Sequence, residues 1–233
     1  MHQILTRLIA PLEDSRFTLK TDGWQAAART LVTHVGELVY SSLEFIVLAR
    51  SLENLGGIPE PQIRVELRQG VPQDVDRLGH MVSPSKLRYF QHLFRCSGLY
   101  CFVATHECEL IACSWASTNI APERERYNLE LEPWEAYGHN ANTAPAYRQL
   151  GVMSALLTYR NKWLHDQGCT RLITLVNADN APSLGMTHKL GLEDIGRIKH
   201  RRILWWQKKE THITRVRSSA RSTVINLSAT GDE

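Results

Sequence analysis

The segment that most constrains this chain runs from Ala144 to Leu164, APAYRQLGVMSALLTYRNKWL. A strand over about 134–143 ends before it, a tight turn follows, and an amphipathic helix over 151–167 begins. The first N–H groups of a helix have no internal partners and carry partial positive charge. A turn that aims them outward is a cradle for phosphate. Gly151 lets the backbone come close to such a ligand, and Arg148 can add charge.

The rest of the chain supplies a sheet for that helix. Ile63, Val65 and Leu67 alternate with polar residues as a strand does. Two helical patterns follow. One starts at Pro72, and the other is SPSKLRYFQHLFRC, with Ser83 as cap and Pro84 behind it. LYCFVAT and LIACSWAS are strands joined by HECE as a hairpin, and residues 119–132 form a charged excursion. After the central helix come the strand RLITLV at 171–176, an NADNAPS loop, a helix through Lys189 stopped at Gly191, and an apolar and basic ribbon ending at Leu204, Trp205 and Trp206. The expected fold class is α/β (α+β), a mixed sheet with helices on both faces.

LGGIPEP at 55–61 reads as a linker. It separates an N-terminal extension, residues 1–60, from a main domain over 61–210. The extension contains a helix over 23–34, with Trp24, Ala27, Ala28 and Leu31 on one face, and a buried strand at 43–49. Its run Phe45-Ile46-Val47-Leu48 must be covered, so the extension is expected to pack on the main domain. Residues 211–233 are rich in Ser, Thr and Arg and read as a disordered tail.

A net charge of +3 is too small to argue for nucleic acid. The five cysteines are odd in number and lack CxxC spacing, so neither a disulfide framework nor a zinc site is expected, and a reducing, cytoplasmic setting fits. No stretch approaches the ~20 apolar residues of a membrane helix. Pro11, Glu13 and Asp14 interrupt the first apolar run, so no signal peptide is expected.

Arg148-Gln149-Leu150-Gly151-Val152-Met153 resembles the Gln/Arg-x-x-Gly-x-Gly/Ala signature of the GCN5-related N-acetyltransferase (GNAT) superfamily, with Met153 in place of the last small residue. Pro145-Ala146-Tyr147-Arg148, Asn180-Ala181-Pro182-Ser183 and Lys189-Leu190-Gly191-Leu192 resemble further motifs of that family, in the same order. The resemblance covers 136–192 well and extends loosely from Ile63 to about 207. It implies a mostly antiparallel central sheet and transfer of an acetyl group from acetyl-CoA to a primary amine within a ternary complex. The implied pyrophosphate ligands are the N–H groups of Gln149, Gly151, Met153 and Ser154, in the turn that also holds Arg148 and Val152. The pantetheine arm is implied beside Ala141 and Thr143, and Asn180 and Ser183 match positions near the arm or the sulfur.

Strand alternation puts Glu135, Tyr137, His139 and Ala141 on one face unless a bulge intervenes. By the resemblance, Glu135 and His139 fall where different members place their catalytic group. An imidazole titrates near neutral pH, which favours His139. The family's tyrosine acid is replaced by Thr187, leaving Ser183 or water to protonate the thiolate. A longer acyl-CoA or an acyl carrier protein donor, meeting the basic ribbon at 197–202, is a second reading. An acyl-CoA sensor is a third. The acceptor is a small-molecule or peptide amine, and a homodimer is left open.

Overall fold

The computed structural model describes residues 40–118, 129–203 and 206–213, together with Leu19 and Trp24. Apart from Trp24, the helix expected over 23–34 lies outside the described residues. So do residues 119–128 of the excursion, Leu204 and Trp205 of the ribbon, and residues 214–233 of the tail.

Eight strands form one sheet: β1 (Tyr40–Ser51), β2 (Glu66–Gln69), β3 (Leu99–His106), β4 (Glu109–Ser117), β5 (Glu135–Thr143), β6 (Arg171–Asn177), β7 (Glu193–Ile203) and β8 (Trp206–Ile213). Their order is β2-β3-β4-β5-β6-β1-β7-β8. Every neighbouring pair is antiparallel except β5 and β6. Three α-helices are described: α1 (Pro84–Leu93), α2 (Val152–Asp166) and α3 (Ala181–Lys189).

Alternation along the strands decides which helix covers which face. Cys101 and Val103 of β3 join Phe90 and Leu93 of α1 in one cluster. Phe102 and Ala104, one residue out of phase, join Leu156 and Leu164 of α2. Helices therefore lie on both faces. The β3–β4 hairpin closes through Glu107 and Cys108, both at positive φ (47° and 66°), the geometry a two-residue turn needs to match strand twist.

The strand expected in the extension lies inside the sheet. β1 pairs with β6 along one edge and β7 along the other. Ile46, Val47, Leu48 and Ala49 are buried in succession because both faces are covered, which explains an unbroken apolar run. The boundary at residue 60 is thus a boundary in sequence, and the sheet crosses it.

Three expectations are corrected. No α-helix starts at Pro72. Two 3-10 turns, Pro72–Asp74 and Asp76–Leu78, stand there instead. The Asp74 carboxylate accepts the Val71 N–H at 2.9 Å and a forked pair of bonds from Arg68 at 2.7 and 2.8 Å, holding the chain in a tight turn. The first strand of the main domain is shifted to Glu66–Gln69. Residues 211–213, expected in the tail, are the end of β8 and pair with Gly196, Arg197 and Ile198.

The feature that positions the site is a fork between β5 and β6. They pair in parallel only from Glu135 to Gly138, opposite Arg171 to Thr174. At the last rung the Thr174 hydroxyl donates to the Gly138 carbonyl at 2.7 Å. Beyond it the strands part.

Candidate functional site

The turn before α2 is built by a 3-10 turn at Pro145–Tyr147 and by two residues at positive φ, Gln149 (65°) and Gly151 (79°). Gly151 caps α2, and no side chain caps the helix in its place. Among the described residues, no acceptor takes the N–H of Gln149, Leu150, Gly151, Val152, Met153 or Ser154. The first amide after Gly151 that is satisfied is Ala155, which donates to the Gly151 carbonyl at 3.1 Å. A run of unmet amides at a helix start is a site for an anion. The Met153 side chain is half-buried and packs against the core. Arg148 is exposed, with Nε donating to the Thr143 carbonyl at 3.3 Å.

The fork opens a cleft of about 190 Å³. Its walls are Gly138–Ala141 of β5, Thr174–Asn177 of β6, Leu157, Arg160 and Asn161 of α2, and residues of α3 including Asn180, Ser183 and Thr187. On the β6 side, residues 139–143 of β5 have no strand partner. That free edge can pair with an extended amide-bearing ligand as an added strand would.

A bulge sits in this edge. Register passes from Cys113↔Asn142 to Trp115↔His139, so β5 spends an extra residue there. Asn140 adopts φ 51°, and its carbonyl accepts from Asn142 Nδ2 at 2.8 Å. The bulge breaks the expected face. Glu135, Tyr137 and His139 are buried, whereas Ala141 is exposed. Ala141 borders the cleft through the open edge.

His139 stacks on Tyr137, with ring centroids 5.4 Å apart and planes at 15°. Its Nδ1 lies 2.8 Å from Asn140 Nδ2. With the amide nitrogen as donor, Nδ1 accepts and the ring proton sits on Nε2. Nε2 is buried and has no hydrogen-bond partner. Burial first, then the charges of Arg160 and Lys86, push the imidazolium pKa down to about 3, so the ring is neutral at physiological pH.

Arg160 is 4% exposed. Nη1 donates to Ser114 Oγ at 2.9 Å, while Nε and Nη2 donate to Asn161 Oδ1 at 3.2 and 2.9 Å. All these acceptors are neutral. Burial brings its pKa down to about 9, which leaves it protonated at neutral pH. Lys86 of α1 donates to Asn142 Oδ1 at 2.8 Å, and burial lowers its pKa. Both cations were passed over at the sequence level. For Arg160 a signal existed: Val152, Leu156, Arg160 and Leu164 recur every fourth residue, so the arginine lies on the buried stripe.

The other expected site residues separate into two groups. Asn180 caps α3, its Oδ1 accepting the Ser183 N–H at 3.2 Å, and both residues line the cleft. Thr187 also lines it, but its hydroxyl donates to the Ser183 and Leu184 carbonyls. Glu135 lies outside the cleft at the paired end of β5. Its Oε1 takes a bond from Arg171 at 3.3 Å and its Oε2 the Glu132 N–H at 3.0 Å. All five cysteines are free, and burial pushes Cys113 up to about 12.

A family model described as acetyltransferase (GNAT) family matches residues 73–192, just over half of the chain. No curated protein matches. Among solved structures, a Drosophila protein is similar at 16% identity and TM-score 0.52, covering 76% of this chain and 56% of its own. A structure from Novosphingobium aromaticivorans, described as a GNAT-family acetyltransferase, is similar at 13% identity and TM-score 0.50, over 68% of this chain and 63% of its own. A GCN5-related glucosamine N-acetyltransferase region of a fungal multi-domain GH3 beta-N-acetylglucosaminidase reaches 0.54 at 14% identity, over 75% of this chain and 22% of that one. The chain thus spans less than two thirds of these proteins, and the likeness is one of fold.

Proposed function

The chain belongs to the acetyltransferase (GNAT) family, and from that membership we propose that it is an acyl-CoA-dependent N-acyltransferase acting on a small-molecule or peptide amine. The observation that carries this reading is the run of unmet amides from Gln149 to Ser154. They are suited to the diphosphate of coenzyme A, with Arg148 adding positive charge nearby. The open edge of β5, from His139 to Thr143, suits the amides of the pantetheine arm. Asn180 and Ser183 approach the same cleft from α3.

Coenzyme A, when bound, presents the acyl group as a thioester, whose carbonyl a neutral amine attacks. A C–N bond forms, the C–S bond breaks, and one proton passes from the amine to the departing thiolate or to solvent. His139 stands where the open edge begins. A ring with a conjugate acid near 3 is a weak proton acceptor at neutral pH. Its unspent group is the buried Nε2–H, which makes it a hydrogen-bond donor rather than the base. Thr187 spends its hydroxyl on α3, so Ser183 or water supplies the proton to sulfur.

The test is thermal unfolding with and without CoA and acetyl-CoA, followed by thiol release with a panel of amines. Ligand at 100 times Kd should add about 2.7 kcal/mol. Stabilisation without thiol release would leave a binding or sensing role. No stabilisation by any CoA species would remove the assignment.

A further inference from the structure

The deep end of the cleft is unlike a pocket for an acetyl methyl. Arg160 follows Val152 by eight residues, ~12 Å along the helix axis from the amide turn. His139 precedes Thr143 by four residues, ~13 Å along the strand. Arg160, His139 and Gly138 therefore stand at one depth, well inside the cleft from its phosphate-binding end. A CoA thioester laid along the open edge from the amide turn points its acyl end toward that depth.

A buried guanidinium is costly unless an anion meets it. Three of its five N–H groups are accounted for, and all three bonds go to Ser114 and Asn161, neither of which is charged. Among the described residues no carboxylate contributes to its charge balance, since burial is the sole influence on its pKa. The neighbours reinforce this. Asn140, Asn161 and Thr174 are polar, His139 has an unmet buried nitrogen, and the nearby Lys86 is a second cation.

We propose that Arg160 forms an anion site at the inner end of this cleft, and that the acyl group transferred by this chain carries its own carboxylate, as short dicarboxylic acyl groups do. The site rests on the acyl-CoA reading above and narrows its donor. The planar fork of Arg160 supplies the paired donors that a carboxylate accepts. Gly138 lets the guanidinium lie against the sheet, where a Cβ would stand 2.9 Å from Nη1 and Nη2.

The experiment is calorimetric titration of the full chain with CoA, acetyl-CoA and two pairs matched in carbon count: propionyl- against malonyl-CoA, and butyryl- against succinyl-CoA. At least one carboxylated member should bind tenfold or more tightly than its apolar match. In Arg160→Met that ratio should fall to about one, and Arg160→Lys, which keeps the charge and loses the fork, should give an intermediate ratio. Equal affinities within both pairs, or tighter apolar binding, overturn the anion site while leaving CoA binding intact. A ratio that survives in Arg160→Met overturns the role of that residue. Absence of binding by CoA and every thioester sinks the parent reading as well. Should Arg160→Met not fold, the wild-type pairs and Arg160→Lys still decide the question.

Discussion

The guanidinium of Arg160 lies flat against Gly138: a Cβ built at residue 138 would stand 2.9 Å from both Nη1 and Nη2. This contact joins the middle of α2 to the last paired rung of the β5–β6 fork. It explains a glycine inside a buried strand, where backbone freedom is otherwise a disadvantage.

Gly138→Ala tests that contact. The methyl must push the guanidinium off Ser114 and Asn161 in a close-packed place. The expected loss is about 1–3 kcal/mol, read from urea unfolding. Wild-type stability in this variant would show that Arg160 is free to swing aside.

Gly151→Ala addresses the amide turn. Gly151 has φ 79°, and its Cβ would come 3.4 Å from Pro61 Cα. The left-handed conformation costs a side chain roughly 1–2 kcal/mol. Relief of that strain would rotate the amides that follow, so affinity for CoA should fall about tenfold or more in calorimetry. Unchanged affinity would argue that the turn does not hold the diphosphate.

The buried imidazole has a pH signature. His139 has its pKa moved from 6.5 to about 3 on folding. Between those values the unfolded chain binds a proton that the folded chain refuses. Stability is therefore complete above pH 6.5 and declines as pH falls toward 3, by up to about 1.4 kcal/mol per pH unit. His139→Gln should have a flatter curve across that window, measured as urea midpoints. Parallel curves for the two proteins would contradict a desolvated, neutral His139.

Asp74 acts in a more acidic window. Its hydrogen bonds from Arg68 hold the carboxyl below the ordinary 3.8, with burial opposing. That contribution is present above the ordinary value and is lost as pH falls through the lower folded one. Asp74→Asn keeps the shape and removes the charge. Because Arg68 is 31% exposed on its side chain, the expected loss is a modest ~1–2 kcal/mol at neutral pH. Guanidinium unfolding at neutral pH should show it, and an unchanged midpoint would mean that the fork contributes only geometry.

Local signals were legible where chemistry is local. The hairpin, the helix cap at Ser83, the strand at 171–177 and the glycine turn before α2 each follow from a few neighbouring residues. The Pro72 segment misled because its proline suits a helix start equally well, while Arg68 and Asp74 closed it into 3-10 turns through side chains. Ala141 left the face of His139 because a bulge at Asn140 resets alternation, and a bulge has no period to read.

Most of the strands and helices, and the glycine turn before α2, could be read from adjacent residues, because periodicity and helix-start amides are local properties. Long-range packing set the rest: β1 enters the sheet between β6 and β7, Glu135 is tied to Arg171 outside the cleft, and Arg160 meets Gly138 at its inner end. Those relationships join residues far apart in the chain, and they exist only once the parting of two strands has opened the space between them.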